Sequence, residues 1–358
     1  MTHLLPTPTP TPIYTGMKPD VSALVLSPNQ QIIAIGYRCG IIVLWDLRTQ
    51  SVIAKLRHPL IRSRNYSGIH DMSFLSPTRL FVTAGVGNCC IWDLKKRCVD
   101  TISNTYGCGR IHLSSDQKEI LCLGPSGRIH FINTQTLKVT TYFDEERVIE
   151  YWPYCIGYLP LGTKFVTGDR SGNIICFDRT QPKQVRDGIP PFHSCSYKTF
   201  SKEITRLQVI SDSSLLFADN AGKITYWKRA PFFQNKIPIQ AWSVGPPEEE
   251  IVTYLALCPN EKHFIVGYSK KSVSGLDSKH HRLVIYDLEG NRCLELLNLF
   301  TDLCSSSLFG FDRYLVINTR WIPPDDDRFG QDDALTILDF GQSNLGMMHP
   351  IEALFGSV

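Results

Sequence analysis

The sequence lacks the features that mark several large classes of protein. Its 358 residues contain no apolar run near the ~20 residues that a membrane-spanning helix needs, and Leu4-Leu5 is too short for the apolar core of a secretory signal. An excess of one charge sign is also missing, because the formal net charge is only +3. Nucleic-acid and membrane-surface binders need clustered basic charge. We therefore predict no membrane span and no nucleic-acid partner.

Catalytic and metal-binding motifs are absent as well. The chain has no HExxH, GxxxxGK[ST], GxSxG or GxGxxG pattern. His280 and His281 are adjacent, so on a strand they point to opposite sides. The aspartates at 325–327 and 332–333 lack the spacing and the closing glutamate of an EF-hand. We expect no enzymatic activity, no catalytic residue, no metal and no cofactor.

The twelve cysteines follow no disulfide or metal-ligand spacing, and no CxxC pair occurs. Several lie within or beside apolar strand patterns, where a thiol packs as a small hydrophobic group; these are Cys89, Cys90, Cys122 and Cys176. A chain of this length does not need disulfides for stability. We expect reduced thiols and an intracellular protein, in the cytoplasm or the nucleus.

A repeated segment organises the chain. Gly40 to Arg48 reads GIIVLWDLR, and similar segments recur in which a large apolar residue, usually five residues after a glycine, precedes an aspartate or another polar residue. The apolar positions are Trp45, Trp92, Ile132, Phe177, Trp227, Tyr286 and Leu338. They are roughly 40–60 residues apart, close to the ~40–45 residues of a four-stranded propeller blade. Each would fill the space between neighbouring sheets, while the glycine permits positive φ in a turn.

These segments resemble the WD40 repeat family. Trp45-Asp46 and Trp92-Asp93 keep the family dipeptide, and the resemblance covers about residues 13 to 340. The Gly-His pair that opens many repeats of the family is missing. The aspartate before the turn glycine is also lost, and its place holds Cys39, Ser126, Ser171 and Ala221. We therefore expect apolar packing, rather than the family's His–Asp hydrogen bonds, to hold the blades.

The resemblance implies an all-β fold, a seven-bladed WD40-type β-propeller closed by an N-terminal strand. The last unit offers three strands, and the β-prone segment Ile13 to Gly16 is the candidate for its fourth. A closed ring has no exposed sheet edge. The predicted organisation is a flexible Pro/Thr-rich lead-in at 1–12, one propeller at 13–345 and a tail at 346–358.

The resemblance implies a non-catalytic scaffold that binds other proteins through loops on one face, as a subunit of a complex. Loop residues of the types that dominate binding energies are the candidates: Arg57, Arg62, Arg64, Tyr66, Phe232, Phe233, Trp242, Lys270, Lys271 and Trp321. An equally open interpretation is that basic and acidic loops pair with each other across neighbouring blades.

Two alternative functions remain open. Trp45-Asp46-Leu47-Arg48 and Trp92-Asp93-Leu94-Lys95 are similar to the W-D-x-[RK] box by which some WD40 proteins dock on a ligase adaptor. This implies a substrate receptor of a cullin-RING ubiquitin ligase, with Arg48 and Lys95 as docking residues. The weaker alternative is a phosphoinositide-binding propeller, whose Phe-Arg-Arg-Gly signal this chain lacks.

Overall fold

The structure is a computed structural model. It describes residues 9–13, 21–59, 61, 68–85, 89–102, 105, 108–124, 127–142, 153–160, 163–180, 193–199, 203–211, 214–228, 239–245, 250–258, 261–272, 275–296, 309–310, 314–319 and 334–339. The regular structure in these ranges is β-strand, numbered here β1 to β28 in chain order. No helix in the described ranges has the length and apolar character of a membrane span.

Strands β2 to β25 form six blades of four consecutive strands. Blade 1 contains β2 to β5, at Val21–Leu26, Ile32–Tyr37, Ile41–Asp46 and Ser51–Arg57. Blade 2 contains β6 to β9, at Ile69–Ser76, Arg79–Ala84, Cys89–Asp93 and Cys98–Ile102. Blade 3 contains β10 to β13, at Arg110–Leu113, Glu119–Leu123, Ile129–Asn133 and Val139–Tyr142.

The next three blades repeat this plan. Blade 4 contains β14 to β17, at Pro153–Tyr158, Lys164–Asp169, Asn173–Asp178 and His193–Lys198. Blade 5 contains β18 to β21, at Ile204–Val209, Leu215–Asp219, Ile224–Lys228 and Ile239–Val244. Blade 6 contains β22 to β25, at Glu250–Leu257, His263–Ser272, Gly275–Asp287 and Arg292–Leu296. Every described pair of neighbouring strands is antiparallel.

The two ends of the chain share a further sheet. Its order is β1 at Thr9–Ile13, β28 at Ala334–Asp339, β27 at Tyr314–Thr319 and β26 at Phe309–Gly310. In β1, Thr11 lies opposite Ile337 and Ile13 lies opposite Leu335. The two-residue strand β26 lies beside β2 of blade 1 and β22 of blade 6. The structure describes the backbone of this sheet but not its side chains.

The prediction of a seven-bladed propeller closed by a strand at Ile13 to Gly16 needs correction. Six blades are complete repeats of four consecutive strands, and the chain ends supply the remaining sheet in two pieces. The N-terminal strand is Thr9–Ile13, which starts inside the segment predicted as a flexible lead-in, and Tyr14 lies outside the described residues. The prolines of this segment favoured a flexible lead-in over a strand. However, β1 lies at the edge of its sheet, where prolines are tolerated because half of the backbone N–H groups need no partner.

The repeated apolar residues lie where the sequence predicts them, at the ends of the third strands. Five are buried: Trp45, Ile132, Phe177, Trp227 and Tyr286. The aspartates that follow hold the next turn. The Oδ1 atom of Asp46 accepts hydrogen bonds from the backbone N–H groups of Arg48 (2.7 Å) and Thr49 (3.1 Å). Gly40 has φ +81°, and a Cβ there would lie 2.8 Å from the Ile61 side chain, so the turn requires glycine.

The hydrophobic core is divided among the contacts between blades. One cluster joins blades 1 and 2 through Ile42, Leu44 and Ile69, and equivalent clusters follow between each later pair up to blades 5 and 6. A further cluster, which contains Trp45, covers the side of blade 1 turned away from blade 2. Since each blade buries both faces, no single sheet is stable alone.

Candidate functional site

The direction of the strands gives the ring two distinct faces. The upper face is defined here by the start of each first strand, the turn between the second and third strands, and the end of the fourth strand. The lower face carries the other two turns of each blade. Since neighbouring strands are antiparallel in every blade, all six blades contribute the same positions to the same face.

A basic patch lies on the upper face over blades 1 to 3. Arg38 lies in the turn between β3 and β4, Arg57 ends β5 and Arg110 starts β10, and all three are exposed. His70 lies in β6 of blade 2. Partial burial lowers the pKa of His70, and the positive charges of Arg38 and Arg110 lower it further. The side chains of His70, Arg38 and Arg110 are therefore close enough to interact. We call Arg38, Arg57, His70 and Arg110 the basic patch.

Gly68 brings the first two blades together beneath this patch. A Cβ atom on Gly68 would lie 2.4 Å from the Cα atom of Arg38, so only glycine allows the linker to pass this close to the turn. The next residue, Ile69, packs against Gly36 of blade 1. This contact places Arg38 beside His70. Gly68 belongs to no sequence motif, and close packing explains why a glycine occupies this position.

Asp71 connects blade 2 to blade 3 below the patch. Its Oδ2 atom accepts a hydrogen bond from the backbone N–H of Ile111 (3.1 Å), and its Oδ1 atom accepts one from Met72 (2.9 Å). Burial raises the pKa of Asp71 to about 6, although the charge of Arg110 and both hydrogen bonds act to lower it. Asp71 therefore fixes the strand that begins with Arg110.

The structure describes the position of few of the predicted protein-binding residues. Arg57 is exposed on the upper face. Lys270 and Lys271 lie near the end of β23 on the upper side of blade 6, and their side chains are not described. The remaining candidates except Trp242 lie outside the described residues: Arg62, Arg64, Tyr66, Phe232, Phe233 and Trp321.

Trp242 has a packing role that the sequence did not reveal. Its ring is stacked on Phe264 of blade 6, with 5.5 Å between ring centroids, and its Nε1 atom donates a hydrogen bond to the Leu288 carbonyl (2.9 Å). Gly290 approaches the same ring, since a Cβ there would lie 3.2 Å away. Trp242 therefore joins blades 5 and 6.

The two candidate docking residues of the ligase alternative lie on the lower face. Arg48 follows β4 and Lys95 follows β8, in equivalent turns of adjacent blades, and both are exposed. Asp46 orients the turn that carries Arg48 through its hydrogen bonds to the backbone. The lower face thus presents two cations on neighbouring blades.

Three buried cysteines meet between blades 2 and 3, near the upper face. Cys89 is the first residue of β8, Cys108 lies in the linker between β9 and β10, and Cys122 lies in β11. Their Sγ atoms all lie within 4.8 Å of one another, and each residue is 0% exposed. We call these residues the thiol cluster. Within the described part of the chain it is the group of side chains best arranged to hold a metal.

Backbone hydrogen bonds hold the thiol cluster in place. The backbone N–H of Cys89 donates to Thr105 Oγ1 (2.8 Å), and that hydroxyl donates to the Ile102 carbonyl (3.0 Å). On the other side, the N–H of Gly109 donates to the Leu123 carbonyl (2.8 Å). The linker that carries Cys108 is therefore fastened to both blades.

Hydrogen bonds from the thiols of Cys108 and Cys122 hold the pKa of Cys89 well below its usual range, against the effect of burial. Burial raises the pKa of Cys122, as do its hydrogen bonds with the other two thiols. The cluster thus favours one thiolate, at Cys89, stabilised by two thiols.

Two buried histidines lie near Cys89. His130 pairs with Cys122 across β11 and β12, so their side chains are neighbours on one side of the sheet. Burial lowers the pKa of His130, while the negative charge at Cys89 acts to raise it. His58 follows β5 of blade 1. Burial lowers its pKa as well, and the negative charge at Cys89 acts to raise it.

The sequence did not predict this cluster. In the sequence, 18 residues separate Cys89 from Cys108 and 13 residues separate Cys108 from Cys122. The three cysteines come from two blades and a linker, so no short motif marks them. The one available signal was positional, because Cys89 and Cys122 fall at predicted strand positions that face a blade contact. The prediction that Cys89 and Cys122 are buried within apolar strands is confirmed. It did not include the close approach of their sulfur atoms to each other and to Cys108.

The chain shares its fold with solved structures of other proteins. Raptor from Chaetomium thermophilum superimposes with a TM-score of 0.68 at 17% identity, covering 95% of this chain and 30% of Raptor. The β-propeller domain of Cps50 (Swd1) from Myceliophteria thermophila superimposes with a TM-score of 0.66 at 15% identity, covering 87% of this chain and 96% of that domain. The chain has the fold of a β-propeller. These identities show the fold alone.

Curated relatives share part of the propeller sequence. Telomerase protein component 1 of Mus musculus is 27% identical over 189 residues, which are 50% of this chain and 7% of the relative. The Rattus norvegicus protein of the same name is 29% identical over 160 residues, 44% of this chain and 6% of the relative. The matches thus span a small part of these relatives' length. No family model matches the chain.

Proposed function

We propose that this propeller is a non-catalytic scaffold whose basic patch binds an acidic segment of a protein partner. The observation that carries the proposal is the placement of the exposed Arg38 of blade 1 and Arg110 of blade 3 beside His70 of blade 2, with the exposed Arg57 on the same face. Arginine is enriched among the residues that dominate binding energies because its planar guanidinium forms paired hydrogen bonds with carboxylates. An acidic segment lying across the blades would meet these groups in turn.

The arrangement also explains why the site requires the folded ring. Arg38 and Arg110 come from blades 1 and 3, and the contacts at Gly68 and Asp71 bring both of these blades against blade 2. A short basic peptide could not present the same spacing. The relatives named telomerase protein component 1 are, by that name, parts of an assembly, which is consistent with a scaffold role for this chain.

The test is affinity capture of the tagged chain followed by mass spectrometry. The test variant reverses the patch with Arg38→Glu, Arg57→Glu and Arg110→Glu. The matched control makes the same charge change on the lower face with Lys96→Glu, Lys118→Glu and Lys138→Glu, all at exposed positions. The proposal expects the control to keep the partners of the wild type and the test variant to lose at least one. If both variants recover all partners of the wild type, the basic patch is not the binding site.

A second candidate function rests on Arg48 and Lys95. Their exposure in equivalent turns of blades 1 and 2 favours a docking role on the lower face, as in the cullin-RING receptor alternative. The two functions are compatible, because a receptor needs one surface for the ligase adaptor and another for the substrate. The basic patch would then hold the substrate.

A further inference from the structure

We propose that Cys89, Cys108, Cys122 and His130 form a structural zinc site that joins blade 2 to blade 3. Three sulfur ligands and one imidazole are a closed tetrahedral set of the kind that structural zinc sites use. All four side chains come from the contact between these two blades. The site is separate from the basic patch and does not depend on the function proposed for that patch.

The distances in the thiol cluster match the size of such a site. Zinc binds thiolate sulfur at about 2.3 Å, so two sulfur ligands of one tetrahedral ion lie about 3.8 Å apart. The three Sγ atoms lie within 4.8 Å of one another without any ion present. This limit exceeds the sulfur spacing of a tetrahedral zinc site by about 1 Å.

His130 is the better placed of the two histidines for the fourth position. It lies directly opposite Cys122 in the pairing of β11 and β12, so its ring emerges on the same side of the sheet. His58 comes from blade 1, on the other side of blade 2 in the ring order. A His130 ligand confines the site to one contact between blades, whereas a His58 ligand would have to reach past β8.

The chemistry of the cluster favours a metal over three ordinary thiols. Zinc binds cysteine in its thiolate form, and the thiol cluster offers three sulfur atoms within 4.8 Å of one another. Binding would release the thiol protons to solvent, and the zinc charge would offset two of the three thiolate charges in a site with no exposed ligand. Full burial leaves no open position for substrate, so the ion would hold the fold and would not act on a substrate.

The first test is the metal content of the full chain purified without chelator, measured by plasma mass spectrometry. The proposal expects about one zinc per chain, as for a closed structural site. It also expects that chelation lowers the melting temperature and that added zinc restores it. A chain that carries no zinc above the level of the buffer, with three free thiols or a disulfide at these positions, would overturn the proposal.

The second test identifies the ligands with cobalt in place of zinc. Tetrahedral cobalt bound to thiolates gives strong visible bands and a sulfur-to-metal charge-transfer band. Cys89→Ser, Cys108→Ser and Cys122→Ser should each weaken these bands. Cys90→Ser is the matched control, because Cys90 is equally buried and adjacent in sequence but outside the cluster. The weak spectrum of octahedral cobalt in the wild type would contradict the site even if a variant fails to fold.

The third test separates the two histidines. His130→Asn should shift the cobalt bands and weaken zinc retention against a competing chelator by at least tenfold. His58→Asn should leave both unchanged. The reverse result would overturn His130 as the ligand, and unchanged spectra in both variants would overturn a histidine ligand altogether.

Discussion

Asp71 and Ile111 join blade 2 to blade 3 through a hydrogen bond of 3.1 Å between the Asp71 Oδ2 atom and the Ile111 backbone N–H. Ile111 follows Arg110, so this bond sets the position of one arginine of the basic patch. The bond also lies in the same contact between blades as the thiol cluster. Blades 2 and 3 are thus held together by a carboxylate as well as by apolar packing.

The titration of Asp71 should make stability depend on pH. Its pKa in the fold is about 6, above its ordinary value of 3.8. Between these values the folded chain holds a proton that the unfolded chain has released, so the free energy of unfolding falls as pH rises from about 4 to about 6. We expect Asp71→Asn to remove about 1–3 kcal/mol of this fall. Urea unfolding of the wild type and of Asp71→Asn between about pH 4 and pH 6 measures this effect. If the difference between their free energies of unfolding is the same at every pH, the prediction is wrong.

Trp242→Phe tests whether this tryptophan is a packing residue. The change keeps a ring against Phe264 and removes the hydrogen bond to Leu288. We expect a loss of about 1–2 kcal/mol in the free energy of unfolding, from the unpaired carbonyl and the smaller ring. Partner capture should be unchanged. If capture fails while the melting curve is unaltered, Trp242 contacts a partner as the sequence-based hypothesis held.

A polar network between blades 3 and 4 offers a measurement of coupling. Glu119 accepts hydrogen bonds from the Tyr158 hydroxyl (2.6 Å) and from Arg179, whose guanidinium lies 4.3 Å from the centroid of the Phe131 ring. We expect a double-mutant cycle of Glu119→Gln and Arg179→Met to give a coupling of about 1–2 kcal/mol, because both groups are partly shielded from water. A coupling near zero would mean that the pair is screened like a surface ion pair.

The docking alternative has its own test on the lower face. Arg48→Ala together with Lys95→Ala should abolish co-purification of a cullin-ligase adaptor and leave stability within about 0.5 kcal/mol, because both side chains are exposed. The control is Arg97→Ala with Lys118→Ala, also exposed on that face. Equal recovery of the adaptor with both double variants would end this alternative.

The repeated blades could be predicted from sequence because each depends on local signals. The Gly40 turn, the buried Trp45 and the capping Asp46 lie within seven residues of one another, and the structure places all three as expected. The sheet at the chain ends could not be read this way. Its partners Thr11 and Ile337 are far apart in sequence, and prolines conceal the strand unless its position at the edge is known.

The candidate sites were harder to predict because they assemble from several blades. Arg57 could be proposed from the sequence because it begins an unusual loop sequence. Arg38 and Arg110 were missed because each is a single arginine in an ordinary turn or strand start, and only Gly68 and Asp71 bring them together. The packing contacts of Trp242 could not be predicted, because Phe264 and Leu288 belong to the next blade.

The central claim, that the partner covers the upper face of blades 1 to 3, is tested most directly by arginine footprinting of the captured complex. Phenylglyoxal modifies exposed arginines, and mass spectrometry reports the modified fraction at each position with and without partner. The account predicts protection of Arg38, Arg57 and Arg110, and unchanged modification of Arg97 on the lower face. Protection of Arg97, with the three upper arginines still fully reactive, would contradict it.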